Sequence, residues 1–182
     1  LEEARLKEFT RPPLVTSSVQ QPQQATKHAT YRRSDLVVSV DTLEKARAAY
    51  EAGADGVLFG GDSYQHRQIA GSEYEAVWEL AEAQRKNLYF NTPRIVRECH
   101  LKEMLELFDV FREIPPDELY VQNIGTLEIA QTRTEIPLHT DASLIAYNHE
   151  TLAFLAAHGV ASATLSPELT DRKSTRLNSS HI

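Results

Sequence analysis

The chain has 182 residues, 41% of them apolar and 25% charged, an ordinary balance for one globular domain with a sizeable core. A formal net charge of −7 excludes a broadly basic nucleic-acid or membrane surface but leaves room for a local basic pocket. One cysteine excludes an internal disulfide framework and fits a reducing compartment, so a cytoplasmic location is expected.

No apolar run approaches the ~20 residues of a membrane helix, so no membrane association is expected. The first residues, LEEARLKEF, are charged and carry no signal-peptide apolar region. They also lack an initiator Met, so the chain is expected to begin inside a longer protein. Residues 1–10 read as the end of a helix, and 11–34, rich in Pro, Gln, Ser and Thr, as a linker from a preceding domain.

The texture changes at Asp35. LVVSV (36–40) predicts a strand covered on both faces. DTLEKARAAYEAG predicts a helix capped by Asp41 or Thr42 and ended by Gly53. GVLFGG (56–61) is a second strand closing on two glycines. In the helix over 72–87, Tyr74, Val77, Trp78 and Ala81 make one core-facing stripe. Strands follow at 88–93, 118–125, 137–144 and 161–169, and helices at 98–114, 126–134 and 148–159. In the first of those helices Leu101, Met104, Leu105 and Phe108 share a face.

Alternating strands and helices predict an α/β fold with a parallel sheet. An open doubly wound sheet and a (β/α)8 barrel compete. Two units, YEAGADGVLFGG and LAAHGVASATLSPEL, share one pattern, which favours an incomplete TIM-like barrel of about six βα units over 35–170. No G-x-G-x-x-G follows the first strand, so the dinucleotide-binding alternative loses support.

Either architecture places chemistry at the C-terminal strand ends. Those ends deliver Gly60, Gly61 and Asp62; Asn91, Thr92 and Arg94; Gln122, Asn123 and Gly125; His139, Asp141 and Asn148; Ser166 and Glu168. Gly60 and Gly61 read as a tight turn or as a close approach to substrate. Asn91, Asn123 and Asn148 are substrate-binding candidates, although helix caps and Asx turns are the usual loop role of asparagine. Arg94 could clamp an anion through its guanidinium fork or simply pair with a carboxylate. His139 and Asp141, two apart on a strand, share a face and are candidates for acid–base work. Two ligands are too few for a metal site, and no metal is assigned. Glu168 is a candidate general acid or base, or a helix-capping carboxylate. HETLA (149–153) lacks the second histidine of a zinc-protease helix, since position 153 is Ala153. No nucleophile elbow and no P-loop are present.

The segments DLVVSVDTLEKARAAYEAGADGVLFGGD, LYFNTPRIV, LYVQNIGTLEIA, PLHTDASLIAYN and LAAHGVASATLSPEL resemble the peptidase U32 family, the collagenase-like proteases. The likeness is to the second U32 segment of long multi-domain members and covers roughly residues 35–170. It implies a TIM-like barrel completed by further units and a preceding domain in cis. It also implies one of two activities. Some members are described as proteases of collagen. Others support oxygen-independent hydroxylation of an RNA base or a quinone ring with a 4Fe-4S iron–sulfur cluster, whose cysteine ligands lie mostly beyond the LSPEL strand. Cys99 matches none of those ligands. The expected partner is therefore a polar small molecule or RNA base, or a peptide for a protease. A non-catalytic, substrate-binding repeat is the third alternative.

The mouth residues favour the hydroxylation branch, because amides, one Arg and one Glu suit a polar ring better than they suit activating water on a peptide. Finally, DRKSTRLNSSHI (171–182) reads as the in-frame translation of a sequencing-library adapter, a non-native tail.

Overall fold

The computed structural model describes residues 35–62 and 68–170. They belong to the second of the chain's two units, which begins at Ser34. The helix end and linker expected over 1–34 and the tail at 171–182 lie outside the described residues.

Among the described residues six strands alternate with five α-helices. In chain order they are β1 (Val37–Val40), α1 (Leu43–Glu51), β2 (Gly56–Gly60), α2 (Gly71–Gln84), β3 (Asn87–Asn91), α3 (Leu101–Glu113), β4 (Glu118–Val121), α4 (Ile124–Arg133), β5 (Leu138–Thr140), α5 (His149–Ala157) and β6 (Val160–Ala163). All strands are parallel, and each pairs with its neighbour in sequence, from β1 to β6. This is the ordering of a TIM-like barrel. The sheet is open, because β1 and β6 stand at its two edges.

Alternation along each strand separates two faces. Val57 and Phe59, Leu88 and Phe90, and Leu119 and Val121 are buried against the helices. Their core is aromatic at its centre. The Tyr74 ring on α2 meets Phe59, Phe90 and Phe111 edge-on at 5.0, 5.0 and 5.1 Å. Each large side chain buried this way is worth roughly 2–3 kcal/mol. The α3 stripe runs through Met104, Phe108 and Phe111. Of the α2 stripe, Tyr74, Val77 and Ala81 are buried, while Trp78 is half-buried and donates Nε1–H to the Pro115 carbonyl.

The opposite face lines the inside of the curved sheet. Leu58, Tyr89, Tyr120, His139 and Ser162 point there and are only partly covered.

Several boundaries differ from those expected of the sequence. β1 is an edge strand and not one covered on both faces; Val37 and Ser39 are exposed. Thr42, not Asp41, caps α1, accepting from the Lys45 amide. β4 stops at Val121 because Asn123 already caps α4. β5 stops at Thr140 because Asp141 turns the chain into a short 3-10 helix, Ala142–Leu144. A second 3-10 turn, Glu98–His100, precedes α3. These strands are shorter than their sequence texture suggests because polar capping residues follow directly on apolar strand residues.

Candidate functional site

The C-terminal end of β2 is built by its glycines. Gly60 and Gly61 have φ of +105° and +77°, a region that side chains rarely enter. A Cβ on Gly60 would collide with the Tyr74 hydroxyl and lie 2.8 Å from the Asn91 carbonyl oxygen. A Cβ on Gly61 would lie 2.8 Å from Asn91 Nδ2. The turn therefore folds tightly over Asn91, and the Tyr74 hydroxyl bonds the Gly61 backbone from below. Burial holds the Tyr74 phenol far above its usual range, so it stays a neutral partner. Asn91 is itself buried, and its Oδ1 has no hydrogen-bond partner among the described residues. It is the one asparagine of the three candidates whose side chain is not used as a cap.

Asn123 and Asn148 do cap. Asn123 Oδ1 accepts from the Thr126 amide at 2.8 Å, and Asn148 Oδ1 accepts from the Thr151 amide at 2.8 Å. Asn123 does more, because its Nδ2 donates to the Pro93 and Arg94 carbonyls at 3.3 Å, tying the β3 exit loop to the β4 exit loop. Asn123→Asp should keep the helix cap and lose the tie. We expect stability to fall by about 1 kcal/mol or less in urea titrations, with faster amide exchange confined to residues 92–97. Unchanged exchange there would contradict the tie.

Arg94 lies at the mouth, largely exposed, with its Nε 3.8 Å from Asp62 Oδ2. Asp141 accepts from the Ala142 amide at 2.7 Å, so its carboxylate serves a turn instead of continuing the strand beside His139. Ser143 donates to the Gln122 carbonyl and joins the β4 and β5 loops. Glu168 is exposed and accepts from the Tyr147 hydroxyl. Gly61, Asp62 and Arg94 also border a groove of roughly 1150 Å³ that runs outward beside Arg97, His100 and Glu103.

Deeper in the mouth is a cluster centred on His139. Its ring stacks on Tyr120 at 4.0 Å. Nδ1 lies 2.6 Å from Ser162 Oγ, and Nε2 lies 2.8 Å from Thr164 Oγ1. Glu118 Oε2 is 3.9 Å from Nδ1. A bulge makes this possible. The register between β5 and β6 steps from Leu138↔Val160 to His139↔Ser162, leaving Ala161 as the extra residue. Without it Ser162 would share the helix-facing side with Thr140. The bulge turns Ser162, and Thr164 two residues on, to the face of His139.

Burial pulls the His139 imidazole down to about 4, opposed in part by the negative Asp141 nearby. Burial, then Asp117, pushes the Glu118 carboxyl up. The folded state therefore holds His139 neutral where the unfolded chain would protonate it. Its contribution to stability is fully present above pH 6.5 and is lost as pH falls toward 4. Glu118, with a raised folded value, acts in the opposite direction as pH rises. We expect the melting temperature of the protein to fall more steeply between pH 6.5 and 4 than that of His139→Gln. Parallel curves would contradict the neutral histidine.

Among the described residues no three His, Cys, Asp or Glu side chains converge as a metal site. Cys99 is exposed in the 3-10 turn before α3. A single cysteine does not fit the four-thiolate ligation of a 4Fe-4S cluster.

The family model of peptidase family U32 matches residues 41–180. The chain belongs to peptidase family U32. The match spans all six strands except β1, and it runs on into the segment that resembles an adapter-derived tail. Solved structures agree on the fold. The U32 peptidase Mk0906 superposes with a TM-score of 0.66 at 14% identity, over 89% of this chain and 70% of that one. A protein titled "putative phosphonomutase" from Burkholderia cenocepacia J2315 gives 0.57 at 17% identity, over 81% and 70%. Both likenesses concern the TIM-barrel-like architecture alone. No curated protein matches the sequence.

Within this U32 barrel, His139 stands out in the sequence but its neighbours do not. Glu118 and Tyr120 sit two apart in ELYVQN, and Tyr89 is the corresponding residue in NLYFN. Period-2 reading of the inner face could have found them. Ser162 and Thr164 could not be found that way, because the bulge reverses the phase of β6.

Proposed function

We propose that this U32 chain forms the substrate-binding mouth of an enzyme that modifies an RNA base by oxygen-independent hydroxylation, and not of one that cleaves peptides. The observation that carries this reading is the His139 ring, stacked on Tyr120 with a hydroxyl on each ring nitrogen. Acyl transfer by a Ser–His pair requires the imidazole to take up a proton as the serine attacks. Burial here opposes that step, pulling the ring down to about 4 so that its protonated form prevails only in more acid solution. The same surroundings suit an uncharged heteroaromatic ring. Two hydroxyls and a stacked Tyr–His pair beside the Glu118 carboxylate supply hydrogen bonds and a ring face, while Arg94 at the rim could hold a phosphate.

A 4Fe-4S cluster in the whole protein would take its cysteines from outside this chain. The rest of the barrel and a preceding domain would act in cis, in the cytoplasm. Residues of this chain bind and orient the base and manage protons.

One observation favours the second reading, a peptidase: the Ser162–His139 contact has the partners of a nucleophile and base. Gelatin and casein digestion by the purified full-length protein separates the two. We expect no hydrolysis above background. Hydrolysis that disappears in Ser162→Ala would overturn the proposal.

A further inference from the structure

The inner wall of a TIM-like barrel is normally filled by branched apolar residues. Here the face shared by β4, β5 and β6 carries Glu118, Tyr120, His139, Ser162 and, just past the strand, Thr164. Two of these positions exist only because Ala161 is bulged. Both ring nitrogens of His139 are engaged by hydroxyls, each of which can donate or accept. Thr164 lies at the mouth side of the ring, and Glu118, at the start of β4, lies on the deep side.

We propose that Thr164, His139, Ser162 and Glu118 form a proton relay leading from the C-terminal strand ends to the Glu118 carboxylate on the inner face of the sheet.

The relay moves one proton and no electrons. A proton leaving a substrate at the mouth passes to the Thr164 oxygen, and the Thr164 proton passes to Nε2. The proton on Nδ1 leaves toward Ser162 and ends on Glu118. The bond from hydrogen to Nδ1 breaks as the one to Nε2 forms, so the ring exchanges tautomers and is neutral before and after. At 3.9 Å, Glu118 is beyond direct hydrogen-bond reach of Nδ1, and Ser162 bonds the ring and not Glu118, so one bridging water carries the last step. The reverse sequence delivers a proton to the mouth.

The energetics favour this route over ordinary imidazole catalysis. An imidazolium is disfavoured at this site, whereas Glu118, pushed up by burial and Asp117, is a stronger proton acceptor than a free carboxylate. Tyr89 and Asp117 face Glu118, and Asp141 and Tyr120 face His139. The two tyrosines remain protonated, with Tyr120 raised to about 12. The relay holds whichever substrate the mouth accepts.

The test is a histidine side-chain nitrogen–proton correlation spectrum of 15N-histidine-labelled protein between pH 5 and 9, with Glu118→Gln and Thr164→Val beside it. We expect His139 to be neutral throughout and averaged between tautomers. Its nitrogen shifts should follow a carboxyl titration that Glu118→Gln abolishes. Should a variant fail to fold, the wild-type spectrum decides alone. A single fixed tautomer with no carboxyl-linked shift would overturn the relay and leave a purely structural hydrogen-bonded pair.

Discussion

Replacing Gly60 with alanine should destabilise the domain by about 3 kcal/mol or more, a large fraction of the ~5–15 kcal/mol that holds a domain folded. Two independent effects add. The backbone at φ +105° is strained for any residue with a Cβ. The added methyl would also sit 2.8 Å from the Asn91 carbonyl, a backbone atom fixed within the β2–β3 ladder. Gly61→Ala should cost less, because its closest neighbour is the Asn91 side-chain amide, which can turn away. Urea denaturation followed by far-UV circular dichroism measures both. A Gly60→Ala loss below about 1 kcal/mol would mean that the turn is looser than its contacts imply.

Tyr74→Ala should cost about 4 kcal/mol, within the range for emptying a buried aromatic site. Tyr74 touches three other rings, so its removal leaves Phe59, Phe90 and Phe111 without a common partner. Tyr74→Phe keeps those contacts and loses only the hydroxyl bond to the Gly61 backbone, at about 1 kcal/mol. The pair therefore separates packing from turn support. If both variants lose similar stability, the hydroxyl and not the ring cluster is the main support at this position.

The order of elements was legible because α2 and α3 carry apolar stripes and β1 to β4 short β-branched or aromatic runs. Strand ends were less legible. Asn123 and Asp141 bond to amides one to three residues ahead, and no periodicity marks where a side chain stops facing the sheet and starts capping a turn. Gly60 and Gly61 could be read as a turn. What holds that turn, Tyr74 from a helix and Asn91 from the next strand, is a tertiary fact. His139 was visible as a polar residue on a strand. Its partners were not, because one bulged residue at Ala161 decides which side chains of β6 it meets.

Nucleoside mass spectrometry of ribosomal and transfer RNA, from cells with and without the full-length protein, tests the proposed function most directly. A hydroxylated nucleoside that is lost on deletion, and restored by the wild-type gene but not by one carrying His139→Gln, is the expected result. An RNA profile unchanged by deletion would contradict it and move the Ser162–His139 pair to the front as peptidase chemistry.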